Sequence, residues 1–186
     1  TYCDGLLKVI GEDGRIHSCF KQTETRTGRI SSTEPNLQNI PVRQEVGREL
    51  RRFFRAADGN VLCDADYSQI ELRVLAHMAD DTTMIETFAS GGDIHTSTAS
   101  KVFHMPPELI TPLMRSQAKA VNFGIVYGIS EFSLADDIGV SRYEARDYID
   151  SYLANYQGVK RYMKNVVEQA RGSGYTKTLY GRKRYI

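Results

Sequence analysis

Two aspartates separated by one residue, Asp64 and Asp66, are the first side chains in the sequence that could support catalysis. They close an apolar segment, and we predict a strand from Val61 to Ala65 whose two-residue period puts both carboxylates on one face. Because an unpaired buried charge is costly, a cation should lie beside them. Carboxylate oxygens suit Mg²⁺. The pattern alone favours a salt bridge over a metal, and the nearby candidates are Arg51, Arg52, Arg55 and Arg73.

A second candidate site consists of four side chains spaced by four residues, namely Arg115, Lys119, Phe123 and Tyr127. In a helix, each step of four residues turns by only about 40°, so these side chains form a slowly turning stripe. The stripe is cationic and then aromatic, and the helix N-terminus adds partial positive charge near Arg115. This arrangement suits a nucleotide, which has a phosphate tail and a flat base. The alternative is a solvated basic turn followed by core aromatics.

A segment rich in amides and hydroxyls, residues 27–41, is a third candidate site. Such groups can contact base edges and the sugar–phosphate backbone of a nucleic acid. The alternative is an irregular loop whose amides cap their own backbone. His95 follows Asp93, a possible helix cap, and a lone histidine is more often structural than functional.

Helices should position these side chains. Ser68 and Glu71 match a capping box at the start of a mostly buried helix that reaches Met78. Thr111 and Pro112 fit the N-cap and first position of the stripe helix, and Gly124 inside it indicates a close approach by another group. Gly128 should end the stripe helix. A capping box at Ser141 and Glu144 predicts a helix that reaches Tyr156, and a last helix should run from Val159 to Arg171 and end at Gly172.

Composition places the chain among globular proteins. Its 186 residues carry 24 Lys and Arg against 23 Asp and Glu, with 41% hydrophobic residues, which excludes a disordered or collagen-like chain. No apolar run approaches the roughly 20 residues of a membrane span. Three scattered cysteines argue against a disulfide framework or a cysteine zinc site. We expect a reducing compartment and a chain that is part of a longer protein.

Together these segments resemble DNA polymerase family A. Residues 66–73, Asp-Tyr-Ser-Gln-Ile-Glu-Leu-Arg, are similar to motif A of that family, and residues 115–128 follow its motif B pattern R-x3-K-x3-F-x3-Y-G. Residues 27–43 resemble its T-G-R-[LI]-S-S…P-N-L-Q-N-I-P segment, and residues 93–96 and 178–184 also fit. The resemblance covers essentially the whole chain.

The resemblance implies an α+β fold, in which residues 1–80 form part of a polymerase palm and residues 81–186 part of the mainly helical fingers. It implies two Mg²⁺ ions in the complete enzyme, with Asp66 binding both and the Tyr67 carbonyl binding one. Asp64 has no ligand role in the family.

The resemblance also implies roles in binding the incoming dNTP and the DNA. Glu71 is the steric gate against a ribose 2′-hydroxyl, and Arg115, Lys119 and His95 hold the triphosphate, with Lys119 also catalytic. Phe123 packs near the sugar, Tyr127 stacks at the template base, and Gln69 belongs to the same pocket. The residues implied to contact primer-template DNA are Arg29, Asn36, Gln38 and Asn39.

The implied reaction is DNA-templated addition of deoxynucleotides to a primer 3′-hydroxyl by two-metal phosphoryl transfer. The motif C hairpin, with its second metal-binding aspartate, has no counterpart after Gly128, so we expect the 186 residues alone to be inactive. The expected whole enzyme is a cytoplasmic, nucleoid-associated monomer without membrane contact. A non-catalytic nucleotide or DNA-binding module is the main alternative. A sugar-nucleotide transferase using Asp64 and Asp66 would leave residues 27–43 and 115–128 unexplained.

Overall fold

Helices dominate the structure, a computed structural model that describes residues 2–41 and 45–186. Within these ranges, the strands form two separate antiparallel hairpins, β1 with β2 and β3 with β4. This agrees with the predicted α+β class. The elements are α1 (Tyr2–Leu7), β1 (Cys19–Lys21), β2 (Ser31–Thr33), α2 (Glu45–Arg51), α3 (Ile70–Ala79), α4 (Thr82–Ala89), α5 (Ile94–Val102), a 3-10 turn (Pro107–Leu109), α6 (Pro112–Val126), α7 (Glu131–Ile138), α8 (Arg142–Asn155), α9 (Gln157–Ser173), β3 (Tyr175–Lys177) and β4 (Lys183–Tyr185).

The chain divides into two units, Thr1–Asp66 and Tyr67–Ile186. This division comes earlier than the predicted boundary near residue 80, because α3 packs on α4, α6 and α9. The match of the units to palm and fingers stays a prediction.

In the first unit, the hairpin of β1 and β2 is fixed by a buried serine. Ser32 is 1% exposed, and its hydroxyl accepts from the Leu37 amide at 3.1 Å and lies 2.6 Å from the Ser18 hydroxyl. The Ser18 hydroxyl also donates to the Pro35 carbonyl at 2.8 Å. These bonds tie the loop after β2 back to the hairpin.

The predicted strand from Val61 to Ala65 is wrong. No residue from 61 to 66 is in a strand in the described part of the chain, and Val61 is 87% exposed. A strand forms only by hydrogen bonding to a neighbouring strand, and apolar residues alone do not provide one. Asp64 and Asp66 are therefore exposed, so their carboxylates do not need a neutralising cation beside them.

The second unit has an apolar core formed by facing helices. α5 packs on α6, α7 packs on α8, and α3 packs on α9. Every large side chain at its centre is inaccessible to solvent, because neighbouring helices cover it from several sides. The largest of these apolar side chains are Tyr152, Tyr156, Leu72, Met84, Ile94, Leu134, Val121 and Val159.

The helix that carries the stripe begins and ends as predicted. The Thr111 hydroxyl accepts from the Met114 amide at 3.2 Å, and Pro112 occupies the first turn. Tyr127 caps the C-terminus, and Gly128 follows with φ of 72°, a conformation that glycine adopts without strain. The capping box of Ser141 and Glu144 is also confirmed.

The predicted capping box at Ser68 is wrong. α3 begins only at Ile70, and Gln69 precedes it with φ of 53° in the left-handed region, without a side-chain cap. Glu71 instead accepts a hydrogen bond from Tyr127. The helix is also less buried than predicted, since Ile70 and Val74 are 45% and 38% exposed.

The last helix begins earlier than the predicted Val159 because a buried carboxylate caps its N-terminus. Asp81 Oδ2 accepts from the Gly158 amide at 2.9 Å and the Val159 amide at 3.3 Å, which lets α9 begin at Gln157. It continues through Gly172 to the left-handed Gly174. After this glycine, β3 and β4 pair as an antiparallel hairpin. In the described ranges, no helix is both long and apolar enough to cross a bilayer.

Candidate nucleotide-binding site

The stripe lies on the outward side of α6. Arg115, Lys119 and Tyr127 are exposed, and Phe123 is half-buried. The opposite side of the helix faces the core through Ala118, Val121, Asn122 and Ile125. This amphipathic arrangement leaves the cations accessible to a ligand. At 61% exposure, Tyr127 is not the core aromatic that the alternative interpretation requires.

An ion pair fixes the cationic end of the stripe. Arg115 Nε lies 2.5 Å from Asp93 Oδ2. Asp93 also caps α5 by accepting from the His95 amide at 3.1 Å and the Thr96 hydroxyl at 2.8 Å. Partial burial raises the pKa of Asp93, but the bonds from Arg115, Thr96 and the His95 amide outweigh burial and lower that pKa to about 2. Asp93 is therefore ionised at neutral pH and orients the guanidinium.

His95 lies beside the middle of the stripe. Its ring centroid is 5.9 Å from that of Phe123, and the residue is only 3% exposed. Burial lowers the pKa of His95, Asp93 opposes this shift, and Arg115 and Lys119 reinforce it by repulsion. The imidazole is thus a neutral group at the edge of a cationic surface.

The aromatic end of the stripe is joined to α3. The Tyr127 hydroxyl donates a hydrogen bond to Glu71 Oε2. This bond links residues 56 positions apart and brings the residue predicted as steric gate to the C-terminus of α6. The stripe and Glu71 therefore form one continuous surface of the second unit.

Gly124 has a packing role, and the predicted close approach comes from the chain itself. A Cβ atom at Gly124 would lie 2.6 Å from Ile129 Cγ2. The Ile129 amide also donates to the Gly124 carbonyl at 2.8 Å. The glycine therefore lets the chain fold back tightly after α6.

The four predicted DNA-contacting residues of the first unit, Arg29, Asn36, Gln38 and Asn39, are all exposed. Asn36 Oδ1 accepts from the backbone amides of Gln38 at 3.0 Å and Asn39 at 3.2 Å. This carboxamide therefore caps its own loop, as the structural alternative predicted. Residues 42–43 of the resembling segment lie outside the described residues.

The predicted metal ligands offer suitable oxygen donors but an incomplete set. Asp66 and Tyr67 are exposed, and a carboxylate and a backbone carbonyl are hard donors of the kind that Mg²⁺ prefers. Within residues 2–41 and 45–186, no three His, Cys, Asp or Glu side chains lie close enough together to hold a metal ion. Gln69 is half-buried in its left-handed turn.

Sequence reasoning missed Asn122, which is fully buried next to His95. The helical period could have indicated it, because Asn122 is a polar residue on the apolar side of α6. The sequence likewise indicated only a capping role for Asp93, and its ion pair with Arg115 was missed.

Comparison with known proteins gives a consistent match. All residues, 1–186, match the family model described as DNA polymerase family A. The chain is 54% identical over 187 residues to a DNA polymerase I of Caldicellulosiruptor bescii and 53% identical over 188 residues to one of Geobacillus stearothermophilus. Each alignment covers 100% of this chain and 22% of the relative, so the chain spans about a fifth of these curated relatives.

A solved structure supports the fold. The POL domain of Pol1 from M. smegmatis, in complex with DNA primer-template and dNTP, matches with a TM-score of 0.89 and 45% identity. The match covers 99% of this chain and 33% of that one. The predicted fold class is thereby confirmed.

Proposed function

Because the chain belongs to DNA polymerase family A, we propose that it supplies the nucleotide-binding surface of a DNA-templated DNA polymerase. In the reaction, the primer 3′-hydroxyl oxygen bonds to the α-phosphorus of a dNTP, the bond to pyrophosphate breaks and the hydroxyl proton is lost. The observation that carries the proposal is the exposed stripe of α6, with Arg115 paired with Asp93 and its aromatic end bonded to Glu71.

The cationic half of the stripe is suited to the triphosphate. Arg115 and Lys119 are exposed on one side of α6, and His95 lies next to them as a neutral ring. Two cations and an N–H donor can offset the charge of the phosphates and align the α-phosphate for attack. Lys119 has a catalytic role because it also stabilises the negative charge that develops on the leaving pyrophosphate.

The aromatic half of the stripe is suited to the sugar and the base. Phe123 is half-buried and provides a flat surface near the sugar, and Gln69 completes this part of the pocket. Tyr127 offers an exposed ring for stacking at the template base. Glu71, held by the Tyr127 hydroxyl, occupies the space that a ribose 2′-hydroxyl would need, which favours deoxynucleotides.

Asp66 and the Tyr67 carbonyl would hold Mg²⁺, because both residues are exposed and their oxygens are hard donors. When bound, two Mg²⁺ ions lower the pKa of the primer hydroxyl and neutralise charge on the triphosphate. Asp64, although exposed as well, is not assigned to the metals. Since Asp66 is one carboxylate in an incomplete ligand set, we expect the 186 residues by themselves not to catalyse synthesis.

DNA contacts are assigned to the exposed side chains of the first unit. Arg29 can bind phosphate, and the amides of Asn36, Gln38 and Asn39 can contact the minor groove near the primer end. Residues 1–80 then belong to the palm and residues 81–186 to the fingers. We propose that the complete enzyme works as a monomer in the cytoplasm, on DNA of the nucleoid.

Primer extension by the polymerase that contains this chain tests the proposal. We expect Mg²⁺-dependent incorporation of the dNTP complementary to the template base. Binding of dNTP and DNA without incorporation would instead support the alternative, a non-catalytic binding module.

A further inference from the structure

A buried polar relay connects His95 to the interior of the second unit. Asn122 Nδ2 lies 3.1 Å from His95 Nδ1, and Asn122 Oδ1 accepts from the Thr98 hydroxyl at 3.2 Å. The Thr98 hydroxyl lies 3.0 Å from that of Tyr156. All four residues are at most 3% exposed. In such an apolar interior, each polar group needs a hydrogen-bond partner. Each of these four side chains is bonded to the next one in the series.

The chemistry of each group sets its role in the relay. An amide nitrogen can only donate, so His95 Nδ1 must accept from Asn122. Thr98 gives its one proton to Asn122 Oδ1, so Tyr156 donates to Thr98. If the oxygen and nitrogen of the Asn122 amide were exchanged, the donor and acceptor of every hydrogen bond from His95 to Tyr156 would also have to be exchanged. With Nδ1 as an acceptor, the neutral His95 ring carries its proton on Nε2.

The other ring nitrogen, Nε2, is accessible to solvent. In the described part of the chain, the only buried side-chain nitrogen or oxygen without a hydrogen-bond partner is the Tyr152 hydroxyl. His95 Nε2 also lacks a hydrogen-bond partner among the described residues, but it is not one of these buried atoms. Some of its surface must therefore be in contact with solvent. The His95 ring itself lies beside Phe123 of the stripe, with the two ring centroids 5.9 Å apart.

We propose that Asn122, supported by Thr98 and Tyr156, is a positioning residue that holds His95 as the neutral Nε2–H tautomer, so that an N–H donor faces the phosphates of the incoming nucleotide. This inference rests on the proposed function. An unprotonated Nε2 at the same place would direct a lone pair at the phosphates and weaken their binding.

The surrounding charges act in the same direction. Arg115 and Lys119 approach His95 from α6, and Asp93 lies at the start of α5. Burial lowers the pKa of His95, Asp93 opposes this shift and the two cations reinforce it. A proton on Nδ1 would also point at the N–H group of Asn122, and two donors facing each other repel. Any contribution of His95 titration to nucleotide affinity in the wild type should therefore fall below the ordinary pKa of 6.5.

Nitrogen-15 NMR of the histidine-labelled, complete polymerase tests the tautomer directly, with His95→Gln to identify the signal. We expect the neutral Nε2–H pattern at pH 7 without substrate. A neutral Nδ1–H pattern or an imidazolium would overturn the inference. This measurement does not depend on synthesis, so its failure would leave the proposed function intact, whereas an absence of primer extension by the wild type would refute that function.

Paired variants test the positioning role. Thr98→Val removes the hydroxyl that orients the Asn122 amide, whereas Thr98→Ser retains it. We expect Thr98→Val to mix the tautomers and to raise the dNTP Kd about tenfold with a smaller change in kcat, and Thr98→Ser to retain the wild-type tautomer. A merely structural role would lower the Tm of Thr98→Val and leave its tautomer unchanged, which would contradict the inference. If Thr98→Val does not fold, the wild-type spectrum decides.

Asn122→Asp gives the opposite change. Its carboxylate accepts at both oxygens, so His95 would hold a proton on Nδ1 and its pKa would rise. Nucleotide affinity should then depend on pH between about 6 and 8, unlike that of the wild type. A flat pH profile together with a wild-type tautomer in this variant would refute the relay.

Discussion

The hydroxyl of Tyr127, at the C-terminal end of α6, donates a hydrogen bond to the carboxylate of Glu71 on α3. The bond holds Glu71 at the aromatic end of the stripe. A fixed carboxylate is a better barrier than a mobile one, because excluding a 2′-hydroxyl requires that the side chain not move aside.

Replacing Glu71 tests the steric gate. In the polymerase that contains this chain, we expect Glu71→Ala to reduce discrimination against ribonucleotides by more than about tenfold, or about 1.4 kcal/mol. The measurement is the ratio of kcat/KM for a dNTP and the matching ribonucleotide. Tyr127→Phe removes only the hydroxyl and should cause a smaller loss. An unchanged sugar preference in Glu71→Ala would count against the assignment.

The two aspartates at residues 64 and 66 form a matched pair for the metal role. Asp66→Asn should lower the rate of primer extension by about three orders of magnitude, or about 4 kcal/mol, while binding of primer-template persists. Asp64→Asn removes an exposed charge of the same kind and should keep most of the activity. Synthesis by Asp66→Asn at the wild-type rate would remove Asp66 from the metal site.

The ion pair of Asp93 and Arg115 predicts a pH dependence of stability. Asp93→Asn keeps an N-capping residue but removes the charge, so the wild type should be more stable near pH 7 by up to about 1 kcal/mol, as for partly exposed pairs. The folded-state pKa of about 2 lies below the ordinary 3.8. The advantage is therefore complete above the ordinary value and disappears as the pH falls through about 2.

Urea unfolding of both proteins at several pH values checks this prediction. The difference in unfolding free energy should shrink only in the acid range. A difference that stays constant down to pH 2 would mean that the charge of Asp93 does not stabilise the fold.

The close approach at Gly124 predicts a cost for the smallest side chain. Gly124→Ala places a Cβ 2.6 Å from Ile129 Cγ2, and we expect it to lower the unfolding free energy by about 1–3 kcal/mol, despite alanine's better helix propensity. Gly172→Ala is the control, since a Cβ at that helical site meets nothing within 4 Å. It should stabilise the protein by up to about 1 kcal/mol. Equal effects of both variants in chemical denaturation would refute the packing argument.

Local signals in the sequence predicted the stripe helix well. Thr111, Pro112 and Gly128 act within one turn of the residues that they cap, so their types were sufficient to set the helix ends. The periodic spacing of the stripe likewise depends only on helix geometry.

Contacts between distant residues could not be predicted in the same way. The supposed strand at Val61 needed a neighbouring strand that its own residues do not specify. Glu71 matched a capping box by type, but the left-handed Gln69 displaced the helix start, and a residue 56 positions away bonded the carboxylate instead. The Asn122–His95 bond joins residues 27 positions apart, and only the packing of α5 on α6 brings them together.

The affinity for the incoming nucleotide in a Lys119→Ala variant tests the central claim most directly. A charge-assisted contact to phosphate contributes about 1.5–3 kcal/mol, so the dNTP Kd from single-turnover primer extension should rise about 10- to 100-fold. Lys164→Ala removes an exposed cation from α9 and should leave the Kd near the wild-type value. If both variants bind dNTP as the wild type does, the stripe of α6 is not the nucleotide-binding surface.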